Sequence, residues 1–194
     1  MSISRVCVYC ASSTKVPEVY FRDTATLGQT LARQGVTVVY GGGSVGLMGA
    51  LADAVLKEKG RIIGVIPEFM MKLEWGNKNA TELIVVEDMA QRKKKFIEDV
   101  DAVIALPGGS GTLEELSEVI SLKKLGLFRK PIIILNTNGF YDQLIAFLER
   151  MIEDHFMHEA HKRLWTVIQE PSQIITAIEN SPDWTSDDFK FAAI

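Results

Sequence analysis

Residues 102–115 read AVIALPGGSGTLEE. The run Ala102–Leu106 is apolar throughout, without the polar alternation of a half-exposed strand, as expected for a strand covered on both faces. A proline and three glycines then interrupt the chain. From Leu113 the apolar residues recur at helical spacing, with Leu113, Leu116, Val119 and Ile120 on one stripe. Strand, glycine turn and helix make up half of a βαβ unit. Residues 37–49, TVVYGGGSVGLMG, repeat the order.

Working outward from these two segments, short β-branched runs alternate with longer amphipathic stretches. Strands are expected at Arg5–Cys10, Thr37–Tyr40, Ile62–Ile66, Leu83–Val86, Ala102–Leu106, Ile132–Leu135 and Thr166–Gln169. Helices are expected at Val19–Gln34, Leu47–Lys59, Met89–Asp99, Leu113–Leu125, Tyr141–Asp154 and Pro171–Glu179. The alternation predicts an α/β fold: a single-domain, Rossmann-like, doubly wound parallel sheet with helices on both faces. A chain of 194 residues suits one well-buried domain. The reading is a nucleotide-binding domain over residues 1–181 and a tail over 182–194, whose Trp184, Phe189 and Phe191 either pack on the body or stay loose.

Composition narrows the function. A net charge of -4 argues against a nucleic-acid surface, and the basic cluster Arg92-Lys93-Lys94-Lys95 is too short to reverse that. No apolar run approaches the ~20 residues of a membrane span. The opening MSISRVCVYC lacks the layout of a signal peptide, so a soluble, cytoplasmic protein without a membrane partner is expected. Cys7 and Cys10 form a C-x-x-C on a β-type run, where positions three apart point to opposite faces, so they read as structural and not as a redox pair. His155, His158 and His161 recur every third residue. On a helix they would fan over about 120° with no matching carboxylate face, so a surface segment is expected and not a metal site.

In such sheets ligands bind beyond the carboxyl ends of the strands. Glycine admits positive φ and lets an anion approach without a Cβ in the way, and a following helix offers unpaired N–H groups and the positive end of its dipole. Pro107 to Thr112 and Gly41 to Gly49 could be tight turns and helix caps alone. Two such loops at the same end of one sheet favour phosphate binding. Thr112 reads as an N-cap with Glu115 completing a capping box. No Gly-Lys-Ser/Thr follows either loop, which disfavours nucleotide triphosphate hydrolysis, and no acidic residue closes the next strand as in dinucleotide sites, so a dinucleotide cofactor is not supported. Cys10-Ala11-Ser12-Ser13-Thr14 adds hydroxyls and loop amides at a third junction.

Two charges point the wrong way for a solvated surface. On a helix from Met89 to Val100, Met89, Phe96, Ile97 and Val100 form an apolar stripe, with Lys93 inside it and Arg92 at its edge. An inward cation needs an anion. Arg92 is the stronger candidate, because its planar fork suits phosphate or carboxylate. Glu115 borders the apolar stripe of its own helix. Leu122 and Leu125 widen that stripe towards a second subunit.

The segment Pro107-Gly108-Gly109-Ser110-Gly111-Thr112-Leu113-Glu114-Glu115 resembles the P-G-G-x-G-T-x-x-E motif of the Lonely Guy (LOG) family of cytokinin riboside 5'-monophosphate phosphoribohydrolases, often mislabelled as lysine decarboxylases. Cys10-Ala11-Ser12-Ser13, Gly41 to Gly49 and Met89-x-x-Arg92-Lys93 resemble its other motifs in order. The resemblance implies hydrolysis of purine or cytokinin nucleoside 5'-monophosphates, including AMP, to free base and ribose 5-phosphate, without metal or cofactor. It implies catalytic roles for Arg92 and Glu115 and phosphate binding by Gly108, Gly109, Ser110, Gly111 and Thr112. Gly42 and Gly43 would line the site, Ser12 and Ser13 would add contacts, and Met89 and Lys93 would lie against the substrate. It also implies a homodimer with the site near the interface. Where many members carry Trp and then Gln-Leu-Gly, this chain reads Ser121-Leu122-Lys123-Lys124-Leu125-Gly126, and Ala90-Gln91 replaces a His-containing pair. Both departures bear on base preference. The alternative reading is a non-catalytic nucleotide- or cofactor-binding protein on the same fold. A lysine decarboxylase would need a lysine placed to anchor pyridoxal phosphate, and His161-Lys162 stands alone on a polar stretch.

Overall fold

Seven apolar runs pair into one parallel sheet in the computed structural model, which describes residues 3–72 and 76–192. Met1, Ser2, Ala193, Ile194 and the side chain of Phe189, which fall in the terminal stretches read above, lie outside the described residues. The strands are β1 (Arg5–Tyr9), β2 (Thr37–Tyr40), β3 (Ile62–Pro67), β4 (Glu82–Val86), β5 (Ala102–Ala105), β6 (Ile132–Leu135) and β7 (Thr166–Ile168). The helices are α1 (Glu18–Arg33), α2 (Gly46–Lys57), α3 (Glu68–Lys72), α4 (Met89–Ile97), α5 (Ser110–Lys124), α6 (Asp142–Glu153) and α7 (Ile174–Glu179). The strand order is β4-β3-β2-β1-β5-β6-β7. The winding therefore reverses between β1 and β5, which pair from Val6↔Ala102 to Tyr9↔Ala105. Such a switch point opens a crevice at the carboxyl ends of its two strands.

Two hydrophobic layers sandwich the sheet. Val6 and Val8 of β1 face Leu27 and Leu31 of α1, Leu51 and Val55 of α2, and Ile174 and Ile178 of α7. Cys7 and Tyr9 face the opposite way, with Phe96 of α4, Leu116 and Val119 of α5, and Leu148 and Ile152 of α6. β1, β2, β3, β5 and β6 are buried almost throughout, which explains their unbroken apolar sequences. Cys7 and Cys10 are unpaired and belong to opposite layers, as strand alternation requires.

Several local expectations need correction. α5 begins at Ser110 with Gly109 at its N-cap, so Thr112 lies inside the first turn and forms no capping box with Glu115. Leu113 is correspondingly turned out to solvent. The short helix α3, directly after Pro67, was not expected. Pro171–Glu179 divides into a 3-10 turn, Pro171–Gln173, and α7. His161 is fully buried and not on a surface segment. A 3-10 turn over Glu159–Arg163 turns its ring inward, where Nδ1 accepts from the His158 amide at 3.0 Å. The tail packs on the body: Trp184 joins the α4–α6 layer, Arg163 sits 5.2 Å over its ring and bonds Asp188 at 2.7 Å. Among the described residues no helix is long and apolar enough to cross a membrane.

Candidate active site

The crevice at the switch point holds a cavity of about 430 Å³. Three junctions build it. After β1, Cys10, Ala11 and Ser12 line one wall, and the Leu106 amide donates to the Tyr9 carbonyl at 2.9 Å to hold β5 alongside. After β2, Gly41 and Gly43 approach from the side. After β5, Gly109, Ser110, Gly111 and Thr112 form the first turn of α5.

That first turn lines the cavity with no side-chain cap from Gly109 and no acidic residue, so neither a capping group nor a negative charge of its own competes for the positive end of the α5 dipole. Gly108 is required by packing: a Cβ there would lie 2.2 Å from Thr112 Oγ1. Gly109 and Gly111 have open space where a side chain would be. Gly46, at φ +62°, allows the first loop to pass so closely that a Cβ would lie 2.4 Å from the Ser12 carbonyl.

Arg92 enters from α4, whose N-terminus is capped by Asp88 accepting from the Gln91 amide at 2.8 Å. Its guanidinium is buried and well anchored. Nε donates to the Val65 carbonyl at 3.0 Å and Nη2 to the Gly41 carbonyl at 2.8 Å, while Phe96 lies 5.0 Å beneath it. Nη1 faces Glu115 Oε1 at 3.9 Å and the Met89 sulfur at 3.9 Å. Glu115 sits one turn into α5 beyond those first-turn residues, its side chain 12% exposed. Burial pushes its carboxyl up to about 7, opposed by the Arg92 charge. Burial also lowers the Arg92 pKa, and Glu115 partly offsets that. A carboxylate that titrates near neutrality is suited to exchanging protons with a bound reactant.

The other anticipated residues divide. Ser12, Gly43 and Gly109 through Thr112 line the cavity with Arg92 and Glu115. Gly42, Gly108, Ser13, Met89 and Lys93 do not. Gly42, at φ +76°, packs against Ile66 and Leu83 and accepts from the Asn77 amide at 2.8 Å. The Ser13 hydroxyl accepts from the Lys15 amide. Met89 reaches the site only through its sulfur on Arg92. Lys93 is the clearest correction: its anions are Glu114 at 2.5 Å and Glu118 at 3.1 Å, both on α5, so it ties α4 to α5 outside the cavity.

A family described as possible lysine decarboxylase matches residues 48–178. A rice protein named probable cytokinin riboside 5'-monophosphate phosphoribohydrolase LOGL2 is 40% identical over 90% of this chain and 72% of its own length. The chain belongs to the LOG family. Arabidopsis LOG5 and LOG1, both named cytokinin riboside 5'-monophosphate phosphoribohydrolases, are each 38% identical, over 90% and 91% of this chain and 77% and 83% of their own lengths. Among solved structures, the molybdenum cofactor binding protein from Rippkaea orientalis superposes with a TM-score of 0.70 at 23% identity, covering 92% of this chain and 97% of its own. The molybdenum cofactor carrier protein from Chlamydomonas reinhardtii gives 0.69 at 19%, covering 91% and 96%. At such identities these two share the fold with the LOG chain.

Sequence reasoning missed part of the lining: Met48 and Val45 of the second loop, Ile66 at the end of β3, Met70 of α3, and Tyr9 and Phe96, whose rings meet at 5.6 Å. Met70 had one readable signal, a proline followed by an acidic residue at a helix start. Cys10 was read as structural, yet it also lines the cavity. Burial and the Glu115 charge raise its thiol pKa, so it stays protonated.

Proposed function

We propose that the protein hydrolyses the N-glycosidic bond of purine or cytokinin nucleoside 5'-monophosphates, releasing the base and ribose 5-phosphate. The observation that carries this reading is the placement of Glu115 beyond the anion-facing turn of α5, in a cavity shared with Arg92. Glu115 lies five positions after Ser110, a rise of ~7.5 Å along the helix. Helical side chains lean towards the N-terminus, which brings the carboxylate over the sugar of a nucleotide whose phosphate caps α5.

Breaking a ribosyl C–N bond builds positive charge on the sugar. Ionised Glu115 stabilises that charge and takes a proton from the attacking water; the proton then passes to the departing base nitrogen, so the base leaves neutral and Glu115 is ionised again. Arg92 is permanently charged and holds no proton to exchange; it fixes the Gly41 loop and tunes Glu115. Gly109 to Thr112, with Ser12 and Gly43 opposite, grip the phosphate, and that remote binding fixes the sugar over the carboxylate. The described lining contains no lysine of the kind a lysine decarboxylase would need to form an imine.

Incubation with AMP should release adenine and ribose 5-phosphate, and adenosine should be a poor substrate. Binding of AMP without turnover would select the non-catalytic reading, and equal rates on adenosine and AMP would remove the phosphate turn from the mechanism. The working form in this proposal is a homodimer. Leu113 on α5, Leu125 at its C-cap and Phe147 on α6 are exposed, and a groove lined in part by Ile120, Leu144 and Met151 runs between the two helices. Sedimentation at the monomer mass would exclude it. Two free thiols fit a reducing, cytoplasmic setting.

A further inference from the structure

We propose that Tyr141 is a positioning residue for the phosphate-binding turn, its hydroxyl holding the carbonyl of Leu106 and so setting where Pro107 to Thr112 leaves the sheet. The proposal rests on the reading of that turn as the phosphate site. Parallel pairing between β5 and β6 ends at Ala105↔Ile134, so Leu106 lies one residue beyond the ladder. Its amide is taken by the Tyr9 carbonyl at 2.9 Å. Its carbonyl accepts from the Tyr141 hydroxyl at 2.6 Å, a side chain standing where a strand would otherwise donate. The Leu106 peptide is thereby pinned from both neighbours at the point where the turn begins.

Tyr141 is itself held in place. Its amide donates to Asn136 Oδ1 at 2.7 Å, and Asn136 Nδ2 donates to Asp142 Oδ1 at 2.7 Å. Its ring meets Phe140 edge-on at 4.9 Å. Burial raises the phenol pKa far above its ordinary value, so the hydroxyl remains a donor at any working pH. Phenylalanine would fill the same buried space and leave the Leu106 carbonyl without this donor, so the substitution isolates the bond. Tyr141 does not line the cavity and acts only through the turn.

The test is Tyr141→Phe, read by calorimetric binding of ribose 5-phosphate and by AMP kinetics. Losing one buried hydrogen bond should raise the ribose 5-phosphate Kd and the AMP KM together by about three- to tenfold. The kcat should stay within about twofold, and its pH dependence, which belongs to Glu115, should not move. Asn136→Ala frees the Tyr141 amide and should shift both constants the same way by less; it carries the test should Tyr141→Phe fail to fold. Ile178→Val, a packing control on α7 in the opposite hydrophobic layer, should lower Tm and leave both constants alone. A lower Tm with unchanged Kd and KM, or a fall in kcat alone, would overturn the proposal, as would a wild-type protein that does not bind ribose 5-phosphate. Wild-type protein that binds ribose 5-phosphate but does not hydrolyse AMP would defeat the enzymatic reading and leave this one standing.

Discussion

Replacing Glu115 by glutamine should stabilise the fold while abolishing most of its activity. In the folded chain the Glu115 carboxyl is pushed from 4.5 to about 7, chiefly by burial. The folded state therefore binds this proton more tightly than the unfolded state does. Stability from this group is fully present below about pH 4.5, drains as pH rises, and is gone above about pH 7. At about 1.4 kcal/mol per pH unit, the ionised carboxylate costs the wild type about 3 kcal/mol at pH 8.5. Glutamine has the shape of the protonated acid and carries no such cost. Urea unfolding of both proteins should give equal stabilities near pH 4.5 and a variant more stable by about 3 kcal/mol at pH 8.5. Turnover should fall by ~10²–10⁴. The wild-type rate should itself drop about tenfold per pH unit on the acid side of about pH 7. A variant less stable at pH 8.5, or a difference that does not change with pH, would refute burial as the cause. Near-wild-type hydrolysis by the variant would remove Glu115 from the base role.

Lys93→Ala should cost less than ~1 kcal/mol and leave KM for AMP within about twofold, because its partners are partly exposed carboxylates on α5; a tenfold rise in KM would return Lys93 to the site. Gly46→Ala should lower stability by more than the ~1–3 kcal/mol of a left-handed non-glycine residue, since its Cβ also collides with the Ser12 carbonyl; an unchanged urea midpoint would show that the first loop can yield.

The strands were legible because burial on both faces removes alternation and leaves runs such as Ile132–Leu135 that read the same in any context. The start of α5 was not. Gly-Ser-Gly has little intrinsic helix preference, so nothing local marks Ser110 as the first helical residue, and Thr112 packs close over Gly108 from inside the first turn. The five residues of α3 are too few to show a period, which hid Met70. Lys93 was read from its own helix alone, and the angle that placed it inward could not reveal two carboxylates on α5. His161 was misread for a similar reason: its ring meets Trp184, 23 positions later in the chain, at 5.9 Å. Motifs pointed to Arg92 and Glu115, which line one cavity; the groups that hold Arg92 come from β3, the loop after β2 and α4, which no single motif spans.

The distance between that pair is itself informative. Arg92 commits Nε and Nη2 to carbonyls at the ends of β3 and β2, leaving Nη1 directed at Glu115 from 3.9 Å. A bidentate ion pair at normal hydrogen-bond length would hold the carboxyl well below neutrality and leave it a feeble base. No charge at all would leave burial unopposed and the carboxyl protonated at neutral pH. An arginine restrained by backbone carbonyls gives the intermediate case, a charge close enough to ionise Glu115 near pH 7 and unable to close on it. Lysine at position 92 could not satisfy two separate carbonyls and face a carboxylate from one planar group. On this view the fork of Arg92 is needed for where it keeps the charge as much as for the charge itself.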